Sequence, residues 1–396
     1  MKIIHTSDWH LGQTFFGYER AEEHHIFLKW LGEVIKKEKI DLLLIAGDVF
    51  DNHNPSAESQ KIYYNFIKRI TSENPELQII VTAGNHDSAA RLEAPTPLLE
   101  DFNVAVRGVV HRTADGNIDY ERHIIPIKEG GCCLAVPYLR QSDHPTAESH
   151  SEGVKLFYKN LYNLAAEKYC YIIAMGHLQA TGSEISTDDR SERTTIGGLD
   201  VVNPDFSEQG VAYTALGHLH KAQRVSGREN MRYAGAPLPM SFAERKNRQS
   251  VTMVTICGEE RKIEKIPFET PVKLLSIPEK PLPINEVLKE IEQLPLGEIT
   301  SNSPFLEVKV LVEGPDPTRR QQIEKALEGR AVRLARLVAV SPETETASAT
   351  IISYDDFKKT EPIELAKIVY RQKYNNCEMP NNIEEMLAKV IKEVEG

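Results

Sequence analysis

Along its first half the chain alternates short unbroken apolar runs with stretches of helical periodicity. The run Ile79-Ile80-Val81-Thr82-Ala83 is rich in β-branched residues and stops at Gly84. That pattern predicts a buried strand delivering its next side chains, Asn85, His86 and Asp87, to the rim of a sheet. The same pattern predicts strands over 2–6, 41–46, 169–175 and 211–216. Between them, Phe27, Leu28, Leu31, Val34 and Ile35 form one stripe of a helix over 21–39, and Ile62, Phe66, Ile67 and Ile70 one stripe of a helix over 57–70. Continuous apolar character in 41–46 implies a strand covered on both faces, hence an α/β arrangement. Further short strands are predicted at 104–110 and 134–136, in a second sheet, and a polar loop over 141–153 precedes a helix reaching 166. The stretch 269–295, rich in Pro, Lys and Glu, reads as a domain boundary. Beyond it the pattern gives a strand over 305–312, a helix over 319–327, a strand over 332–340, and two terminal helices over 362–373 and 383–394.

Length and composition narrow the class. A chain of 396 residues exceeds one ordinary core, so two or three domains are expected. Hydrophobic content of 41% with 27% charged residues is that of a soluble globular protein. No apolar run reaches the roughly 18 to 20 residues that span a bilayer. Asp8 interrupts the first apolar stretch too early for a signal peptide. Five cysteines, two of them adjacent at Cys132 and Cys133 and none in C-x-x-C spacing, support neither a disulfide framework nor a zinc ribbon, and the expected compartment is the reducing cytoplasm. A net charge of −11 argues against nucleic-acid binding by overall charge. It leaves room for a phosphodiester handled at a metal site, where ions supply the positive field. The absence of G-x-x-x-x-G-K-[ST] means that the sequence carries no phosphate-cradling P-loop. Between Arg319 and Arg336 six basic residues (Arg319, Arg320, Lys325, Arg330, Arg333, Arg336) face two acidic ones, Glu324 and Glu328. This local excess is either a nucleic-acid contact or a solvated face.

Collected in order, the strand ends supply Asp8, His10, Asp48, Asn85, His86, His177, His218 and His220. Sites in open α/β sheets form outside the carboxyl ends of strands, so these groups can converge. Asp8 and His10, two apart, point the same way in an extended segment. Carboxylate, imidazole and amide together suit a mid-series divalent ion, manganese first, with iron and zinc as alternatives. Two ions bridged by a carboxylate can activate a water and stabilise charge on a phosphoryl group. Taken singly, each residue has a structural reading: a strand-end His is usually a hydrogen-bonded one, and Asp8 or Asp48 can cap a helix. The joint pattern D-x-H, G-D-x-x-D, G-N-H-D, G-H and G-H-x-H, each after an apolar strand, is what favours the metal site.

This order of motifs resembles that of the calcineurin-like metallophosphoesterases over residues 1–245, and within them the SbcD nucleases of bacterial SbcCD complexes. His5-Thr6-Ser7-Asp8-Trp9-His10-Leu11-Gly12 closely resembles that family's opening motif. The segment 233–242 resembles its Y-x-G-S-P-x-P-x-S-F motif, with Ala236 where serine is usual. The resemblance implies a sandwich of two sheets flanked by helices (1–270), a small α/β cap that shapes a DNA groove (271–350) and C-terminal helices (351–396) that either dock on a partner or close their own domain. It implies that Asp8, His10, Asp48 and His220 hold one ion, and that Asp48, Asn85, His177 and His218 hold the other, with Asp48 bridging. His86 is then a non-ligand acid beside the scissile phosphate. Asp51 is expected to accept a hydrogen bond from the His86 ring through its carboxylate and to raise its pKa. The implied activity is a metal-dependent double-strand exonuclease and single-strand or hairpin endonuclease, a homodimer that works with an SbcC-type coiled-coil ATPase as a heterotetramer on DNA ends and hairpins, with no membrane role. A phosphodiesterase acting on a small nucleotide, or a non-catalytic DNA-repair scaffold, are the alternatives. The superfamily's protein phosphatases carry G-D-x-x-D-R-G, whereas Asn52-His53 follows Asp51 here.

Overall fold

Strand Leu42–Ala46 is apolar at all five positions and all five are buried, as a strand covered on both faces requires. In the computed structural model, which describes residues 1–184, 201–207, 210–258, 260–312 and 317–341 with isolated positions between 363 and 387, it lies inside a six-stranded sheet. The strand order is Glu260–Pro267, Ser250–Cys257, Lys2–Thr6, Leu42–Ala46, Gln78–Thr82, Val104–Arg107. The last four run parallel and the first two are added antiparallel. A second six-stranded sheet has the order Gln223–Arg224, Met231–Tyr233, Val211–Gly217, Tyr171–His177, Gly131–Ala135, Ile124–Ile127.

The sheets face each other through Ile3, Leu44 and Ile80 on one side and Cys133, Ile173 and Tyr213 on the other, all buried in one cluster. Helices Ala21–Glu38 and Ala57–Glu73 cover the outer face of the first sheet with Phe27, Leu31, Ile62 and Phe66. Helix His150–Ala166 covers the second with Phe157 and Leu161. Two sheets flanked by helices is the architecture expected. Strand Val104–Arg107 pairs with Gln78–Thr82 in the first sheet, not the second, and helix His150–Ala166 begins inside the expected loop because Ser149 caps it, accepting from the Glu152 amide at 3.2 Å.

These elements belong to one unit, Met1–Leu275 with Glu298–Leu306 and Ala331–Ala335. Within it Arg333 lies 3.8 Å from the Phe305 ring centre and donates to the Ser303 carbonyl at 2.9 Å. The second unit comprises Ser276–Gly297, Glu307–Arg330 and Arg336–Gly396. It holds helices Ile284–Ile291 and Arg319–Ala326 and most of three strands, Leu274–Leu282, Phe305–Leu311 and Arg333–Val340, in that order across their sheet. The Pro-rich stretch read as a boundary therefore contains a strand and a helix: Pro278 and Pro281 lie within the strand, and Pro283 stands just before the helix. Buried Glu307 is satisfied by Ser276, Lys309 and Arg336. The expected terminal helices fall mostly outside the described residues, as does most of the polar stretch 181–198. No helix among the described residues is long and apolar enough to cross a membrane.

Candidate metal centre

The loops that follow strands Lys2–Thr6 and Leu42–Ala46 run side by side, with the Asp8 amide on the Gly47 carbonyl and the His10 amide on the Asp48 carbonyl, both at 3.0 Å. Asp8, His10 and Asp48 all adopt left-handed backbone, with φ of 53°, 47° and 49°. Asp8 and His10 therefore converge through this turn and not through the alternation of an extended strand. Left-handed backbone costs roughly 1–2 kcal/mol per non-glycine residue and persists where the surroundings enforce it. Glycine precedes Asp48, Asn85, His177 and His218 because the loops crowd one another. A Cβ on Gly47, itself at φ 83°, would lie 2.2 Å from His177 Nδ1, and one on Gly84 would lie 2.1 Å from Asp48 Oδ1.

Asp48 is at the centre. Its Oδ2 is 3.2 Å from His177 Nε2 and 3.7 Å from His10 Nε2, and its Oδ1 accepts the His86 amide at 2.8 Å. Asn85 Oδ1 lies 3.0 Å from both His177 Nε2 and His218 Nδ1. Asp8, His10 and His220 bring one donor atom each within 4.8 Å of one another, and so do Asp8, Asp48 and His177. Asp8 Oδ1 accepts the His218 amide at 2.9 Å, and its Oδ2 accepts from Ser7 Oγ at 2.5 Å. All eight strand-end residues named from the sequence are gathered here.

The electrostatics are those of a site that positive charge would stabilise. Burial opposes ionisation of Asp48, yet His177, then His10 and His86, hold its carboxyl well below the usual carboxylate range. Burial likewise opposes a charged His177, but Asp48 outweighs it and raises the imidazole to about 9. His218, buried and next to His177, is lowered to about 3. His10 Nε2 is buried, faces Asp48 and has no hydrogen-bond partner among the described residues. A buried ring nitrogen left without a hydrogen-bond partner beside a carboxylate is costly, and a cation bound between the two satisfies both. With oxygen and imidazole donors and no cysteine, the set fits divalent metal ions.

Three residues behind the donors were missed or misplaced by sequence reasoning. Asp51 does not put its carboxylate on His86: His86 Nδ1 bonds to the Asp51 carbonyl oxygen at 2.9 Å, and Asp51 Oδ1 lies 3.4 Å from His10 Nδ1. The His86 pKa is lowered, by burial first, and not raised. Glu244, buried, sits 3.3 Å from His220 Nδ1 and accepts the Met240 amide at 3.1 Å; its only trace in the sequence is its place two residues beyond Phe242. Asp87 accepts from the amides of Gly84, Val49 and Phe50 at 2.9, 3.1 and 2.9 Å, locking the Asp48 and His86 loops together. Burial, then the neighbouring Asp48, push its carboxyl up to about 6.

A two-sheet sandwich with this donor set at its strand ends defines a calcineurin-like phosphoesterase, and the profile of that family matches residues 1–222. A second profile, described as the type 5 capsule protein repressor C-terminal domain, matches residues 270–374. The chain is 37% identical to the SbcD component of nuclease SbcCD from Rhodobacter capsulatus, covering 88% of this chain and 90% of that one. It is 32% identical to the SbcD component from Escherichia coli K12 (69% of this chain, 70% of that one) and 30% identical to that from Bacillus subtilis (64% and 66%). The chain belongs to the SbcD family of calcineurin-like phosphoesterases.

Proposed function

We propose that the chain is a metal-dependent DNA nuclease that hydrolyses phosphodiester bonds in DNA ends and hairpins, in the cytoplasm, together with a coiled-coil ATPase. The observation that carries the reading is the position of Asp48, whose carboxylate is shared between the His10 and the His177 sides of the site. Asp8, His10, Asp48 and His220 would hold one divalent ion and Asp48, Asn85, His177 and His218 a second, manganese being the ion this donor set suits best. Such ions supply an activated water and stabilise charge on the phosphoryl oxygens.

The chain's own residues do the rest. Asp87 and the Gly47 and Gly84 turns fix the two loops, so the donors are pre-positioned. The His86 ring stands edge-on to His10, with centres 4.8 Å apart, and its Nδ1–H is held by the Asp51 carbonyl. In the free protein burial keeps this ring neutral near pH 7. An arriving phosphodiester brings negative charge that favours the protonated ring, which can then donate from Nε2 to the leaving oxygen. A homodimer and a heterotetramer with the ATPase complete the proposal, supported by the relatives' membership of SbcCD nucleases.

The test is cleavage of blunt and hairpin duplexes in manganese, with and without the coiled-coil ATPase and ATP, beside hydrolysis of bis(p-nitrophenyl) phosphate. DNA cleavage that the ATPase stimulates is expected. Turnover of the small diester alone would make the chain a small-molecule phosphodiesterase.

A further inference from the structure

At the edge of the second sheet, where Gln223–Arg224 pairs antiparallel with Met231–Tyr233, the surface forms a cleft of about 560 Å³. Its walls carry Lys221, Arg224, Arg232 and Lys265, with Glu184 as the single acidic residue among its lining. In a chain with 58 acidic and 47 basic residues, four cations around one cleft are not a consequence of composition. They come from separate segments, two from the loop and strand after His220, one from the neighbouring strand and one from Glu260–Pro267 in the first sheet.

The charges are only partly offset. Lys221 pairs with Glu184, and both Arg224 and Arg232 pair with Glu229, whose side chain is 64% exposed. Lys265 donates to the Ala222 carbonyl at 2.9 Å. Burial first, and then the fields of Arg232, Lys221 and Arg224, hold its ammonium below the usual lysine range. The four cations are met by two carboxylates, those of Glu184 and Glu229. Exposed ion pairs contribute little, about 0–1 kcal/mol each, and can be exchanged for a phosphate at small cost.

The cleft and the metal centre are joined through the chain. Lys221 directly follows His220, and the His220 carbonyl accepts the Ala236 amide at 3.0 Å, which ties the segment to the strand carrying Arg232. We propose that this cleft is a binding site for the sugar–phosphate backbone of a nucleic acid, holding the strand whose scissile bond lies at the metal centre. The proposal rests on the nuclease reading. Cations presented from several segments in an open cleft match successive phosphates, which carry no sequence information, better than one small anion.

The test compares the full-length chain with Arg224→Gln/Lys265→Gln and with a control of equal charge loss, Lys36→Gln/Lys37→Gln, at the exposed end of helix Ala21–Glu38. Anisotropy of a labelled duplex, in EDTA so that nothing is cleaved, is followed across salt concentrations. The cleft variant is expected to bind roughly tenfold or more weakly at 0.1 M salt and to lose about one to two from the slope of log K against log salt. Its hydrolysis of bis(p-nitrophenyl) phosphate in manganese should equal that of the parent chain, because that substrate needs only the metal centre. An affinity and slope like the parent's, or an equal loss in the control, would overturn the cleft as the binding site. A parent chain that binds duplex but does not cleave it would instead count against the nuclease reading, and the slopes would still decide the cleft.

Discussion

The ring of His86 is held by the backbone of Asp51, not by its carboxylate: Nδ1 is 2.9 Å from the carbonyl oxygen, while the carboxylate reaches toward His10. A side-chain change at Asp51 therefore leaves the His86 partner in place. Asp51→Asn is expected to move the pH–rate profile only slightly, toward lower pH, because the Asp51 charge is the smallest of the influences on the His86 ring, and to weaken metal binding by about 10- to 100-fold for loss of an outer carboxylate. His86→Ala should keep its metal and lose turnover by about 10²- to 10⁴-fold. Metal analysis beside a pH profile separates the two; a profile that moves by a full pH unit or more in Asp51→Asn would restore a direct carboxylate–His86 pairing.

Glu244 stands to His220 as Asp51 stands to His10, a carboxylate on the ring nitrogen turned away from the donor cluster. On the other side His177 Nδ1 is held by a neutral group, the Ala46 carbonyl, at 2.9 Å. Glu244→Gln should lower affinity for one of the two proposed ions by about 10- to 100-fold and leave the other nearly untouched. Calorimetric titration with manganese showing both ions weakened alike would contradict this asymmetry.

Asp48 faces both sides of the site, so on the proposed two-ion arrangement Asp48→Ala should abolish binding of both ions and not one. Retention of two metal equivalents per chain after dialysis would exclude Asp48 as the shared ligand.

The donors were legible in the sequence because each stands directly after an apolar strand and most after a glycine, a local pattern. What was not legible lies across the fold. Glu244 meets His220 only once the 233–242 segment packs back, and the Asp51 assignment turned on which atom of one residue faces His86. Strands Ser250–Cys257 and Glu260–Pro267 escape a local reading although Val251, Thr252, Met253 and Val254 have strand-forming composition. Their place beside Lys2–Thr6 is set by pairing over some 250 positions, which no local window contains.

Metal-free protein should be most stable near pH 6.5. His5 and His24 are buried neutral, their pKa values lowered to about 3 chiefly by burial. Below about 6.5 the unfolded chain takes up protons there that the folded chain refuses, so stability falls as pH drops toward 3. His177 acts in the opposite sense. The folded chain keeps its proton to about 9, so a contribution of roughly 3 kcal/mol is present below 6.5 and is lost between 6.5 and 9. Denaturant unfolding in EDTA across this range checks both limbs, and His177→Gln should flatten the alkaline one. A rise in stability from pH 6.5 to 9 would contradict the His177–Asp48 pairing.

Arg333 belongs to the fold and not to a nucleic-acid surface. The sequence groups it with Arg319 and Arg320 in a basic stretch, but its guanidinium lies 3.8 Å from the centre of the Phe305 ring and 5.5 Å from that of Tyr18, with Nε on the Ser303 carbonyl, and the residue is buried. Phe305 in turn packs on Phe15, 4.8 Å between ring centres, so chain beyond residue 300 is part of the same unit as the residues just after the first metal-site loop. Desolvated stacking of this kind is worth about 2 kcal/mol, and a hydrogen bond from a charged donor about as much again. Arg333→Leu should therefore cost roughly 2–4 kcal/mol of unfolding free energy while leaving the salt slope of DNA binding as it was. Arg320, exposed and paired with Glu324 at 2.8 Å, should show the reverse insensitivity: Arg320→Gln changes stability by less than about 0.5 kcal/mol. Denaturant midpoints for the two variants, read beside their salt slopes, decide the matter, and a flattened slope with unchanged stability in Arg333→Leu would return Arg333 to the DNA-contacting group.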